Sequence, residues 1–329
     1  MSFPELRLRR LRRTRVIREV FRETTLPPSS LVYPIFVDEN ASAETPIESM
    51  PGQYRLPLHR VSDEVGRLLE LGIRATILFG IPAHKDPAGS QAYSRDGIVQ
   101  RALRTIRHDY GDEVLLIADT CLCEYTSHGH CGLVEDGRVV NDRTLELLAE
   151  TAETQADAGA DIVAPSAMMD GQVAALRRRL DQAGFQETMI MAYSSKHASA
   201  FYRPFREAAS SKPQFGDRRS HQLPVGNLRE ALREMEMDVR EGADILLIKP
   251  ALPCLDLISL ARRRFDHPIA AYNVSGEYCM VKAAVERGWL DERGSVVEVL
   301  TAIRRAGADL VITYHAKEYA AWWREGLEV

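Results

Sequence analysis

The sequence predicts an α/β fold: a (β/α)8 TIM barrel with an extended N-terminal arm. Three observations carry the prediction. Eight short β-branched runs alternate with longer amphipathic segments, three of the runs share one entry motif, and no GxGxxG or P-loop follows any of them. Near-continuous apolar strands mark a parallel sheet covered on both faces, and a glycine-rich phosphate loop would have argued for an open sheet instead. The 329 residues are about twice a usual domain length, which allows two domains or one large barrel; the eight βα units favour one barrel over residues 29–329 after an arm over residues 1–28.

The arm comes first. Eight arginines (Arg7, Arg9, Arg10, Arg12, Arg13, Arg15, Arg18 and Arg22) lie among Glu5, Glu19 and Glu23, and the segment ends at the Pro27-Pro28 break. The interspersed glutamates weigh against a nucleic-acid-binding arm or a transit peptide, so the segment reads as a solvated or subunit-wrapping extension. The net charge of −5 offers no field to hold a polyanion, and no apolar run reaches the roughly 18 residues of a membrane span. The expectation is a cytoplasmic chain with neither nucleic acid nor membrane as partner. Five cysteines are too few and too odd a set for a disulfide scaffold, so clustered ones are expected to ligate a metal or act as nucleophiles.

Strands are expected at residues 31–37, 74–80, 113–120, 161–166, 188–194, 244–250, 268–275 and 309–315. Between them Leu145, Leu148, Ala149 and Ala152 recur at helical spacing, as do Val296, Val299, Leu300 and Ile303. Gly159-Ala160-Asp161, Gly242-Ala243-Asp244 and Gly307-Ala308-Asp309 open three of the strands. Each glycine is expected to end a helix in the left-handed conformation, with the chain turning at once into a strand.

In such a barrel the C-terminal strand ends carry function. Strand six ends at Lys249. A lysine there either snorkels to the mouth or, if buried, sheds its proton and becomes a nucleophile. Lys196, just past the end of strand five, reaches the same mouth, and two neighbouring ammonium groups repel, which favours the free amines that form Schiff bases. Strand three ends near Asp119 and leads into Cys121, Cys123 and Cys131. A CxC pair plus a third thiolate favours zinc with an open fourth position, and a site in which His128 or His130 supplies a ligand stays open. Cys254 and Cys279 stand alone and read as core. Residues 201–222 are long for a βα loop and read as a lid, with Arg206, Arg218 and Arg219 suited to an anionic substrate. Ser275 and Tyr314 bring hydroxyls to the ends of strands seven and eight. Ser166 and Asp170 are either site residues or helix caps.

Together these residues resemble the porphobilinogen synthase family, also called 5-aminolevulinate dehydratase, from about Pro34 to the C-terminus and including the arm. The likeness rests on Asp119-Thr-Cys-Leu-Cys-Glu-Tyr-Thr-Ser-His-Gly-His-Cys131, Met191 to Lys196, Phe215 to Arg219, Ile248 to Pro253 and Asn273 to Glu277. It implies a lyase that condenses two 5-aminolevulinate molecules into porphobilinogen with loss of two waters, in tetrapyrrole biosynthesis. It further implies that Lys249 forms the Schiff base with the propionate-side substrate, whose carboxylate Ser275 and Tyr314 hold. Lys196 would form the other, with Arg206, Arg218 and Gln222 near the acetate-side carboxylate, and Asp119 and Ser166 would complete the polar lining. Zinc on Cys121, Cys123 and Cys131, an octamer gripped through the arm, and an allosteric magnesium at Glu234 are implied as well. Arg203 stands where glycine usually precedes Pro204, and Cys254 where tyrosine often lies; neither touches the lysines or the thiolates. A class I Schiff-base aldolase leaves the cysteine cluster unexplained. A zinc-stabilised binding protein leaves both lysines without a role.

Overall fold

Eight parallel strands close on themselves in the computed structural model, which describes residue 2 and residues 4–326. The outermost positions of the expected arm and barrel, residues 1, 3 and 327–329, lie outside the described residues. The strands are β1 (Leu31–Asp38), β2 (Ala75–Ile81), β3 (Leu115–Thr120), β4 (Ile162–Pro165), β5 (Met189–Lys196), β6 (Ile245–Lys249), β7 (Ile269–Asn273) and β8 (Leu310–Thr313). Each pairs with the next, and β8 returns to β1 through Leu31–Val311 and Val32–Ile312. Because helices cover the outside and side chains fill the inside, β2, β6 and β7 are buried at every position, which explains why they are apolar apart from Thr76, Lys249 and Asn273. The helical spacings also find their sheet. Leu148, Ala152, Val296, Leu300 and Ile303 are fully or almost fully buried, and each large one contributes roughly 1.5–3 kcal/mol of burial free energy.

The three entry motifs build one repeated clasp at the N-terminal end of the barrel. Gly159, Gly242 and Gly307 adopt φ of 100°, 102° and 131°, a region that side chains with a Cβ rarely enter. The aspartate that follows reaches sideways to the neighbouring strand. Asp161 accepts from the Leu116 N–H and Asp244 from the Ile190 N–H at 2.7 Å, and Asp309 accepts from the Ile269 N–H at 3.0 Å. An arginine from an earlier helix lies across each glycine: Arg107, Arg177 and Arg262. Arg107 and Arg262 pair with Asp161 and Asp309 at 2.7 and 3.0 Å, whereas Arg177 donates to the carbonyls of Phe185 and Thr188.

Several expectations need correction. Strand seven stops at Asn273, and Ser275 is the first residue of the helix Ser275–Glu286, because Glu277 reaches back to accept from the Val274 N–H and starts the helix there. Lys196 belongs to β5 itself. Neither Ser166 nor Asp170 caps the helix Gln172–Gln182, which begins after Gly171 in the left-handed conformation. Cys254 is buried, but Cys279 is only half-buried and donates to the Ser49 carbonyl at 2.9 Å. A hairpin of Thr45–Pro46 and Tyr54–Leu56 extends the sheet beside β1, and a smaller one joins Val134–Glu135 to Arg138–Val139. The arm forms a short turn of helix at Leu8–Arg12 and a helix at Arg15–Val20, and neither buries a residue.

Candidate active site

Backbone register places the two lysines side by side. In the parallel pairing of β5 with β6, Lys196 lies opposite Lys249. Both side chains are almost wholly buried, at 5% and 4% exposure. Each amine lies 5.4 Å from the centre of the Tyr193 ring, so one aromatic wall serves both. Lys249 Nζ is further enclosed by the rings of Tyr272, Phe205 and Tyr202, at 4.3, 4.9 and 5.0 Å. This aromatic cage removes water from the ammonium form, and the second amine adds repulsion. Burial first, and Lys196 second, push the Lys249 pKa down from 10.5 to about 7. Lys196 donates to the Ser166 carbonyl.

Beside the lysines stands a buried acid. The Ser166 hydroxyl donates to Asp119 at 3.1 Å. Burial, reinforced by neighbouring Glu124, raises the Asp119 pKa to about 8. Glu124, which sequence reasoning passed over, is also fully enclosed; burial and the Cys123 sulfur raise its pKa to about 8. A glutamate inside the cysteine loop was the available signal. Carboxyls held near neutrality can keep or release a proton at working pH.

The sulfurs of Cys121, Cys123 and Cys131 gather within 4.8 Å of one another, all buried. Cys121 Sγ lies 3.5 Å from Cys123 Sγ, and Cys123 Sγ donates to Glu124 at 3.2 Å. This donor set fits a soft divalent ion with three protein ligands. Among the described residues neither histidine joins this cluster: His128 Nε2 contacts the Pro87 carbonyl at 3.1 Å, and His130 Nε2 contacts the Phe215 carbonyl at 3.0 Å. Burial opposes the charge of Arg218, but the neighbouring sulfurs of Cys131, Cys123 and Cys121 outweigh it and hold the guanidinium charged.

Residues 201–222 close over this group. Arg206 and Arg218 line the same small cavity as Asp119, Ser166, Lys196 and Lys249. Its free space, about 10 Å³, is that of a single water, so a substrate enters only when this segment moves. The Nε atoms of both arginines are buried with no protein partner among the described residues, leaving donors for an anion. Other expected residues sit further off. The Ser275 hydroxyl accepts from the Phe205 N–H at 3.0 Å and donates to the Phe201 carbonyl at 3.2 Å. Tyr314 is buried behind Tyr272, the two hydroxyls 2.9 Å apart. Gln222 lines a separate cavity of about 280 Å³ with His221, Asp170, Glu230 and Glu234. Glu234 is half-buried there on the helix Leu228–Glu241; burial, then Asp170, raises its pKa.

Comparison with known proteins agrees with this geometry. Residues 5–322 match the family model of delta-aminolevulinic acid dehydratase. The chain is 57% identical over 319 residues to a delta-aminolevulinic acid dehydratase of Archaeoglobus fulgidus, covering 97% of this chain and 98% of that one. It is 53% identical to the enzyme of the same name from Bacillus subtilis, with coverage of 97% and 98%. Among solved structures, the Toxoplasma gondii enzyme in complex with its reaction product porphobilinogen superposes with a TM-score of 0.95 at 46% identity, covering 98% of this chain and 92% of that one. The chain belongs to the delta-aminolevulinic acid dehydratase family, whose members are lyases.

Proposed function

We propose that this family member condenses two 5-aminolevulinate molecules into porphobilinogen and two waters, each substrate held for part of the cycle as an imine on a lysine. The observation that carries the reading is the pairing of Lys196 with Lys249 across adjacent strands, both amines against one tyrosine ring and next to three gathered cysteines. An aldolase needs only one such amine, and a binding protein needs neither.

With a pKa of about 7, Lys249 is half free amine at neutral pH. The amine adds to the keto carbon, loses its proton, and the former carbonyl oxygen departs as water, leaving an imine whose protonated form draws electrons from the adjacent carbon. Asp119, protonated through much of the neutral range, is placed to hand a proton to a departing hydroxyl and to take one back from carbon. Arg206 and Arg218 would hold the carboxylate of the substrate on Lys196, with Gln222 approaching as the lid settles. Ser275 and Tyr314 would hold the other carboxylate by giving up their present hydroxyl partners. Ser166 keeps Asp119 and Lys196 in fixed relation.

We assign Cys121, Cys123 and Cys131 as zinc ligands, which places the chain in the zinc-dependent branch; when bound, the ion supplies a Lewis acid beside the reacting groups. Glu234 would hold an allosteric magnesium ion with water completing its shell. The arm over residues 1–28 keeps Leu8, Leu11, Val16, Val20 and Phe21 exposed, which supports a role in gripping other subunits of an octamer while residues 29–329 form the catalytic barrel. Among the described residues no helix is long and apolar enough to cross a membrane, and a cytoplasmic location accords with this.

Incubation with 5-aminolevulinate and zinc should yield a pyrrole that colours with an acidic aldehyde reagent. Folded, metal-loaded protein that makes no pyrrole would end the assignment. Cobalt substitution should give thiolate-to-metal absorption that Cys131→Ser weakens; an unchanged spectrum would remove Cys131 from the ligand set.

A further inference from the structure

We propose that Arg55 and Lys85 are positioning residues for the reaction: two cations outside the cavity that clamp the C-terminal end of the lid helix and so fix Phe205 and Arg206 over the lysines. The lid helix, Arg203–Ala208, has six residues, too few to be stable by itself. Its carbonyls at Phe205, Arg206 and Glu207 accept from the backbone N–H groups of Ala209, Ser211 and Ser210. Side chains add to these bonds at Glu207 and supply the partner at Ala208 and Ser210. Arg55 Nε donates to the Ala208 carbonyl at 2.8 Å, and its Nη2 donates to the Glu207 carbonyl. Lys85 Nζ donates to the Ser210 carbonyl at 2.7 Å, where the chain turns sharply with φ of 50°. Cations at the C-terminal end of a helix satisfy orphan carbonyls and complement the helix dipole together.

The clamp has a firm base. Arg55 lies in the strand Tyr54–Leu56, in register with Phe36 of β1. Two residues away, buried Gln53 accepts from the Tyr33 hydroxyl at 2.8 Å and donates to the Tyr278 hydroxyl and the Tyr314 carbonyl, each at 3.3 Å. Lys85 follows β2 in the loop beyond Ile81. The strand Tyr54–Leu56 thus presents Arg55 from backbone paired with β1, and Lys85 reaches the helix end from the loop after β2. On the other side, Phe205 packs against Phe36 and Phe79, with ring centres 5.7 and 5.0 Å apart, and closes the cage around Lys249. Arg206 is the next residue. Releasing the helix end would loosen both at once, without touching either amine.

The proposal rests on the assignment of this cavity as the active site. Its test combines amide hydrogen exchange with steady-state kinetics on Arg55→Gln, Arg55→Lys and Lys85→Gln. Exchange over residues 203–211 should quicken about tenfold in each glutamine variant, the effect of losing a charged hydrogen bond, while β-strand amides keep their rates. The KM for 5-aminolevulinate should rise about tenfold with a smaller change in kcat, and Arg55→Lys should recover part of both effects. Unchanged exchange at 203–211, equal quickening throughout the barrel, or an unaltered KM would overturn the clamp. Exchange needs no substrate, so failure to form pyrrole would refute the reaction and leave the clamp tested separately.

Discussion

The two ends of the barrel treat charge in opposite ways. At the N-terminal end Asp161 and Asp309 are part-exposed, matched by arginines and by backbone N–H groups of the neighbouring strand. At the C-terminal end Lys249, Asp119 and Glu124 are enclosed among rings, sulfurs and one another, and their pKa values converge on about 7, 8 and 8. One end spends its charges on closing the sheet; the other keeps them near the point of ionisation. Conservative changes at the two ends should therefore separate stability from activity.

The largest effect expected is from Lys249→Met. Activity should fall about 10⁴-fold or more, since a nucleophile is lost, while the melting temperature stays level or rises because a buried amine becomes an apolar chain. A fall in melting temperature with activity retained would erase the contrast. Next comes pH. Because Lys249 attacks as the free amine with a pKa of about 7 and Asp119 donates its proton with a pKa of about 8, the rate of imine formation should climb about tenfold per pH unit below 7, peak between about 7 and 8, and fall above that. Single-turnover trapping over a pH series checks this, and a rate still rising steeply beyond pH 9 would show an ordinary exposed lysine. The smallest effect belongs to the other end. Asp309→Ala should lower stability by about 1–2 kcal/mol in denaturant unfolding, given its part exposure, and leave kcat and KM within about twofold. A strong loss of activity in folded Asp309→Ala would mean that the two ends are not independent.

Much of this contrast was legible in the sequence, for physical reasons. Strands buried on both faces are apolar over most of their length, so all eight appeared within a few residues of their observed bounds. A left-handed helix end needs glycine, so the three entry motifs identified themselves. Lysines and cysteines at strand ends were equally visible, because polar residues closing an apolar run have few structural reasons to be there. Other features depend on contacts distant in the chain and leave no local pattern. Arg55 reaches Glu207 and Ala208, and Gln53 reaches Tyr278 and Tyr314, from a hairpin whose strands have two and three residues. Tyr193 looks like one more strand residue in the sequence, but its ring lies 5.4 Å from both amines. Ser275 reads as a strand end because the run before it is apolar; the carboxyl of Glu277 decides that a helix has already begun.

Two amines share one enclosed site, and the proposed reaction needs both to react with substrate. Cyanoborohydride reduction in the presence of 5-aminolevulinate, followed by peptide mass spectrometry, tests this most directly. The prediction is substrate-derived mass on the peptides bearing Lys196 and Lys249, with Lys249→Met abolishing its own adduct. Adducts confined to Lys85, Lys212, Lys282 or Lys317, or on no lysine at all, would contradict it.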